Sequence, residues 1–366
     1  MVKISFPIVP EANNQILSEK QEVDYRSHRR DFIEWLLVYG KDPKTYTGYS
    51  QDTVKRTAYR CGKFDRFIWE KEGRYSAPLN HDHAETYIDH MAYEGHSKSH
   101  LHNTQLALIR YFKWLSQERG GDAWEPDTTF SSGGRQQAPD YLSRRERQLI
   151  RQAALDYGSI PTYSTLSPAE RTRWKKYVSQ RLRKPLNEVV PDDWNQVNGW
   201  KFTSLVWTSL DTGLRPIEVR RATIGWVDVD NHVLRIPKSE SAKGEENWFV
   251  SISDRTAEAL DQWLTERDQY SLYDDTEALW LTREGNPYSP QSLRRLLIRL
   301  CEDADIKTTN RKMSWYAIRH SLGTYMTAER DLKAAQSQLR HKSPQTTMRY
   351  DQTPVEDRKE ALERIG

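Results

Sequence analysis

Apolar positions recur at helical spacing along most of the chain. The clearest early run is Val54, Ala58, Cys61, Phe64 and Ile68, three or four residues apart, with Lys55, Arg56, Arg60, Lys63 and Arg66 on other faces. This spacing predicts an amphipathic helix capped by Ser50, packed on one side and positive on another. A helix before it spans Val23 to Val38 through Phe32, Trp35 and Leu36, and another follows Asn80 through Ala84, Tyr87, Ile88 and Met91 to Gly95. A fourth starts at Ser97 and aligns Leu101, Leu108, Phe112 and Leu115, with Lys98, His102, Arg110 and Lys113 around it. Four such helices make a compact bundle with basic faces suited to a phosphate backbone.

The first 20 residues are polar with two prolines and read as an arm, and residues 21–119 hold the bundle. From 120 to 140 the chain turns to Gly-Gly, Ser-Ser-Gly-Gly and isolated prolines without an apolar period, which reads as a linker. A capping box at Ser143 and Glu146 then opens residues 141–366. Ser167 to Glu170 caps a helix carrying Trp174 to Arg181, inside a segment from Tyr157 to Asn198 to which the sequence gives no task. Trp200 to Leu210 is an apolar helix. Gly225–Asp228, His232–Ile236 and Trp248–Ile252 are enriched in β-branched and aromatic residues, predicting a small three-stranded sheet. Helices follow at Arg255–Arg267 and Ser289–Asp303, the second setting Arg294, Arg295 and Arg299 beside a leucine face, and a last helix spans Pro354–Ile365.

Lys+Arg 55 against Asp+Glu 52 leaves a net charge of +3, so the distribution of charge, not its sum, must argue for nucleic acid. Charged residues make up 29% of the chain, and no apolar run approaches the roughly 20 residues a bilayer span needs. The start lacks a signal-peptide pattern, and two cysteines, Cys61 and Cys301, fit a reducing compartment. The expectation is a soluble, cytoplasmic protein. The histidines between His81 and His102 come without a cysteine or carboxylate set at zinc spacing, so no metal and no other cofactor is expected.

Chemistry concentrates between Ser314 and Tyr350. Tyr316 and Arg319 lie three apart on a predicted helix, a second helical segment runs from Leu332 to Leu339, Arg340 and His341 follow it, and Tyr350 stands nine residues beyond His341. Upstream, Thr212-Gly213-Leu214-Arg215-Pro216-Ile217-Glu218 places an arginine at a helix start with a carboxylate three residues on to fix it. Paired guanidiniums suit a phosphodiester, whose negative charge is spread over its non-bridging oxygens, and a tyrosine can store the broken bond as a phosphoester.

These pieces, in this order and spacing, resemble the tyrosine recombinases, the phage-integrase and Xer-like family of site-specific DNA recombinases. The resemblance implies a mainly α fold: an N-terminal helical core-binding (SAM-like) bundle, then an α+β catalytic domain with a small three-stranded antiparallel sheet, the DNA breaking–rejoining enzyme fold. It makes Arg215 and Arg319 the phosphate clamp, His341 a contact to a non-bridging oxygen and Tyr350 the nucleophile. It also assigns protonation of the departing 5′ oxygen to a hairpin lysine, best matched by Lys243, with Lys238 next. Where the family carries His or Lys, this chain has Tyr316. A phenol donates to phosphate but accepts protons poorly near neutral pH, so base duty passes to His341. Lys55, Arg56, Arg60, Lys98, Arg110, Arg294 and Arg340 are the expected DNA contacts. The partners implied are double-stranded DNA and further copies of the chain, as a dimer or tetramer on DNA, with no membrane. Two rivals are a type IB topoisomerase-like enzyme and a recombinase-like protein that binds DNA without cleaving it.

Overall fold

The computed structural model describes residues 3–131, 140–241 and 246–366, and the chain divides into two compact units, residues 1–136 and 137–366. Among the described residues, no helix is long and apolar enough to cross a membrane.

In the first unit a single turn, α1 (Glu11–Asn14), precedes α2 (Glu19–Val38), α3 (Gln51–Glu72), α4 (His81–Tyr93) and α5 (Lys98–Glu118). Ser18 and Asn80 close reciprocal capping boxes, and Ser97 caps α5 by accepting from the His100 N–H. The predicted stripe of α3 is buried, with Val54, Ala58, Cys61, Phe64 and Ile68 packing on Phe32 and Leu36 of α2 and on Leu101, Leu108 and Phe112 of α5.

Both flanks of the bundle differ from expectation. The N-terminal stretch is not a free arm: Phe6 and Val9 are buried, Asn13 Nδ2 donates to the Gly62 carbonyl at 2.7 Å, and Arg29 Nε donates to the Ile8 carbonyl at 2.5 Å. Polar composition concealed this, because the anchors are one asparagine and two isolated apolar side chains. The expected linker also starts too early. Trp124 is buried in the bundle core with its Nε1 donating to Glu85 Oε1 at 2.8 Å, and the Thr128 and Phe130 carbonyls engage Gln105 and His102. Two aromatic anchors in a Gly/Pro-rich setting extend the first unit past residue 120.

The second unit comprises α6 (Arg144–Asp156), α7 (Pro168–Leu182), α8 (Lys201–Thr212), α9 (Pro216–Arg221), β1 (Val227–Asp228), β2 (Val233–Ile236), β3 (Trp248–Ser251), α10 (Asp254–Arg267), α11 (Pro290–Asp303), α12 (Trp315–Glu329), α13 (Leu332–Leu339), α14 (Pro344–Thr347) and α15 (Val355–Ile365). The strands form an antiparallel sheet in the order β1-β2-β3, with Leu234 paired to Val227 on one side and Val250 on the other. Leu234, Ile236 and Val250 face the core, joined there by Trp226, Trp263, Trp280 and Trp315. At the centre lies α8, against α6, α10 and α12.

Residues 157–198 close at the neck through a bridge between Ser159 and Asn198 and fold around their own core of Ile160, Trp174, Tyr177, Val178, Val189 and Trp194. They dock on the C-terminal end of α10, where Tyr177 Oη donates to Glu266 and Arg181 donates to Gln262. Two of the segment's cations form ion pairs, Arg173 with Asp274 outside it and Lys184 with Asp193 within it. Trp200, at the N-terminal end of α8, bonds to the same Glu266, so this docking point lies at the end of α8 opposite the turn that carries Arg215.

Among the described residues, the last helix is tied down at its start. Glu356 accepts from Tyr325 Oη at 2.9 Å and from the Arg144 N–H at 3.1 Å, whereas Leu362 and Ile365 are exposed.

Candidate active site

Arg215 is positioned by the turn that ends α8. Gly213 takes a left-handed conformation with φ 58°, and a Cβ there would lie 2.9 Å from Leu339. The chain then re-enters a helix at Pro216, whose fixed φ suits the first helical position. The Arg215 N–H donates to Glu218 Oε2 at 2.7 Å and its Nη1 to Oε1 at 2.9 Å, so one carboxylate caps the helix and orients the guanidinium.

Arg319 lies on α12 with 3% of its surface exposed. Its Nη1 donates to the Gly213 carbonyl at 2.6 Å and its Nη2 to the Leu339 carbonyl. Burial, then the charges of Arg215 and Arg340, pull this guanidinium down to about 9.

Arg340 corrects one expectation. It was expected to touch DNA, yet it is buried, with Nη2 donating to Glu218 Oε2 at 2.7 Å and Nη1 to the Thr212 carbonyl at 2.8 Å. Its backbone sits at φ 57°, in the left-handed region that costs a non-glycine residue about 1 kcal/mol or more. That conformation caps α13 and turns the side chain inward, where its donors are already taken. Burial alone would raise Glu218, but Arg340 and Arg215 hold its carboxyl down at about 2.

His341 and Tyr350 complete the cleft. His341 Nδ1 is 2.9 Å from Thr347 Oγ1, and its ring lies parallel to that of Tyr350, 6° apart with centroids at 6.1 Å. Burial and then the surrounding arginines, Arg319 first, lower this imidazole to about 3. Tyr350, on a 3-10 turn from Met348 to Tyr350, is 1% exposed and packs with Leu322 and Leu339. Its Oη is 2.9 Å from Nδ1 of His320, a residue sequence reasoning left without a role. Burial raises the phenol above its ordinary value, while Arg319, Arg349 and Arg215 oppose the rise. Gly323 was also overlooked: its Cα faces the Tyr350 ring with no room for a Cβ. Both residues were within reach of the helical period, since Tyr316, Arg319, His320 and Gly323 fall on one stripe of α12.

Arg215, Tyr316, Arg319, His320, His341, Lys342, Arg349 and Tyr350 thus line one cleft of about 210 Å³. Tyr316 is 43% exposed at its mouth, with its ring over His320. Lys243 lies outside the described residues. Of the expected DNA contacts, Lys55, Arg56 and Lys98 are exposed, as is Arg294. Arg60 and Arg110 are half-buried, Arg110 stacking 4.7 Å over Tyr49 and donating to Thr57.

Residues 196–356 match the family model described as the phage integrase family. Over 191 residues the chain is 27% identical to tyrosine recombinase XerC of Haemophilus ducreyi, which covers 52% of this chain and 59% of that protein. It is 28% identical over 160 residues to tyrosine recombinase XerD of Staphylococcus aureus, covering 43% and 52% respectively. The chain therefore spans little more than half the length of these relatives. Among solved structures, the XerH site-specific recombinase in a post-cleavage complex with a palindromic difH substrate shares the fold at a TM-score of 0.58 and 16% identity, over 96% of this chain and 90% of that one. Fold and site define a mainly helical protein with a small antiparallel sheet and an arginine-lined tyrosine. Over residues 196–356, the stretch that carries the cleft, the chain is similar to the phage integrase family, and it is similar to the tyrosine recombinases XerC and XerD.

Proposed function

We propose that this protein is a site-specific DNA recombinase that cleaves and rejoins double-stranded DNA through a 3′-phosphotyrosyl intermediate. The observation that carries the reading is the convergence of Arg215, Arg319, His341 and Tyr350 on one cleft from separate parts of the second unit. The two guanidiniums would clamp the scissile phosphate, with the neutral His341 beside a non-bridging oxygen. Tyr350 Oη would attack phosphorus in line and free a 5′ hydroxyl, and Lys243 would protonate the departing oxygen. A hydroxyl from a second strand then reverses the step, and the phosphotyrosine conserves the bond energy meanwhile. Because Tyr350 is seated among its own chain's arginines, cleavage in cis is the reading favoured here. The exposed cations of α3 and α5 would carry the first unit onto the DNA backbone, and strand exchange between two duplexes would require several copies of the chain on DNA.

The test is incubation with a nicked suicide duplex that traps the covalent adduct. We expect an adduct from the wild type and none from Tyr350→Phe, with DNA binding retained in both. Binding without an adduct would leave a DNA-binding protein of this fold, and relaxation of supercoils without strand exchange would favour the topoisomerase-like alternative.

A further inference from the structure

We infer that His320 is the group that takes the proton from Tyr350 as the phenol oxygen attacks phosphorus. The inference rests on the phosphotyrosyl reading above and assigns it a residue that the motif-based expectation gave to His341.

Three observations place it. The phenol has His320 Nδ1 as a partner at 2.9 Å, while His341 directs its own Nδ1 to Thr347. Both rings of the pair are held. Tyr316 stacks on the imidazole with centroids 6.1 Å apart, and the phenol ring is confined between Gly323, His341, Leu322 and Leu339. His320 is also neutral near pH 7: burial, then Arg349 and Arg319, lower it to about 4, so Nδ1 has a lone pair to offer. The other charged or titratable groups lining the cleft are Arg215, Tyr316, His341 and Lys342.

With the phenol O–H donating to Nδ1, the imidazole carries its hydrogen on Nε2. On attack the Tyr350 O–H bond breaks and its proton moves to Nδ1. The phenol oxygen bonds to phosphorus, the bond from phosphorus to the 5′ oxygen breaks, and that oxygen is protonated by a separate acid, the role given to Lys243. In the reverse step the leaving phenolate recovers the proton from the imidazolium. Tyr316 then serves as a spacer that fixes the base.

The experiment is single-turnover adduct formation on the suicide duplex by the wild type, H320N and H320A, across pH and with added imidazole. Asparagine keeps an acceptor near the Nδ1 position but cannot take the proton. We expect H320N to lose about 10²-fold or more in rate with DNA affinity unchanged, and its rate to climb with pH more steeply than that of the wild type. Imidazole should partly restore H320A, which decides the question alone should H320N not fold. H320N within about threefold of the wild-type rate overturns the inference, since a general base contributes far more. So does a slow variant with a wild-type pH profile and no imidazole rescue, which would mark a merely structural role. In either case a wild-type adduct leaves the recombinase reading standing; absence of that adduct removes both.

Discussion

Gly323 offers a direct test of how Tyr350, the proposed nucleophile, is seated. A Cβ built there would lie 2.7 Å from Cδ2 of Tyr350 and 2.8 Å from both Cε2 and Cγ. Carbon atoms pack at about 3.5–4.0 Å, so in Gly323→Ala the ring must retreat by about 1 Å. Retreat is not free, because the parallel His341 ring and the side chains of Leu322 and Leu339 border the same space. Overpacking of this kind costs about 1–3 kcal/mol. Alanine in the interior of α12 recovers up to about 1 kcal/mol of helix propensity.

Stability should therefore fall by no more than about 3 kcal/mol, and by less to the extent that helix propensity is recovered. Cleavage should suffer more. Moving the attacking oxygen by about 1 Å from its line behind phosphorus is worth about 10²-fold in rate. Thermal unfolding and single-turnover adduct formation, measured on the same preparation, separate the two effects. A G323A protein that forms the adduct within about threefold of the wild-type rate would refute the argument, since the phenol would then react from a position other than the one it occupies against α12.

Glu218→Gln leaves Arg215 and Arg340 without their shared carboxylate and should lower stability at pH 7 by about 3–5 kcal/mol in urea unfolding; a loss under about 1 kcal/mol would contradict the pairing. Because the folded carboxyl is depressed to about 2, its contribution is complete above the ordinary value of 4.5 and fades as pH falls toward 2. The wild type should lose about 3 kcal/mol across that window, and E218Q should lack that slope. Glu266 has the opposite sign: burial raises it to about 7, so its ionisation costs stability as pH climbs from about 4.5 to 7. E266Q should gain up to about 3 kcal/mol above pH 7 and nothing below pH 4.5. An E266Q stability curve parallel to the wild type's would count against it.

Helical periodicity located the longer helices, because their buried stripes are long and regular: α3 through Val54 to Ile68, α11 through Leu293 to Leu300. The sheet was legible from its β-branched and aromatic enrichment, although β1 is only two residues long. Weaker signals failed. Phe6, Val9 and Trp124 are single anchors in polar or glycine-rich surroundings, and no period reports a side chain that packs alone. Within the site, arginine and tyrosine announced themselves by type and spacing, whereas His320 and Gly323 depend on where a turn 30 residues later brings the Tyr350 ring. Arg340 was misread for a related reason. Composition treats every arginine as an outward cation, but its left-handed backbone sends this one into the core.

Burial first, and then the positive charge lining the cleft, holds its histidines below the ordinary imidazole range. Arg319 and Arg340 are nearly inaccessible and Arg215 is close to them, yet Glu218 is the carboxylate that both Arg215 and Arg340 bind. Burial and then this positive field depress Arg319 and His341, and burial, then Arg349 and Arg319, do the same to His320. In the proposed reaction a phosphodiester anion placed against Arg215 and Arg319 offsets that field. Of the charges that make His320 a poor base, Arg349 and Arg319 both line the cleft such an anion would enter, so the imidazole gains basicity once the phosphate is in position. The same anion weakens the arginines' help in ionising Tyr350, which leaves transfer to a hydrogen-bonded imidazole as the easier route for the phenol proton. In the proposed reaction the positive field would thus hold His320 in check until the phosphate arrives, and Tyr350 would be activated only in the presence of the bond it is to break.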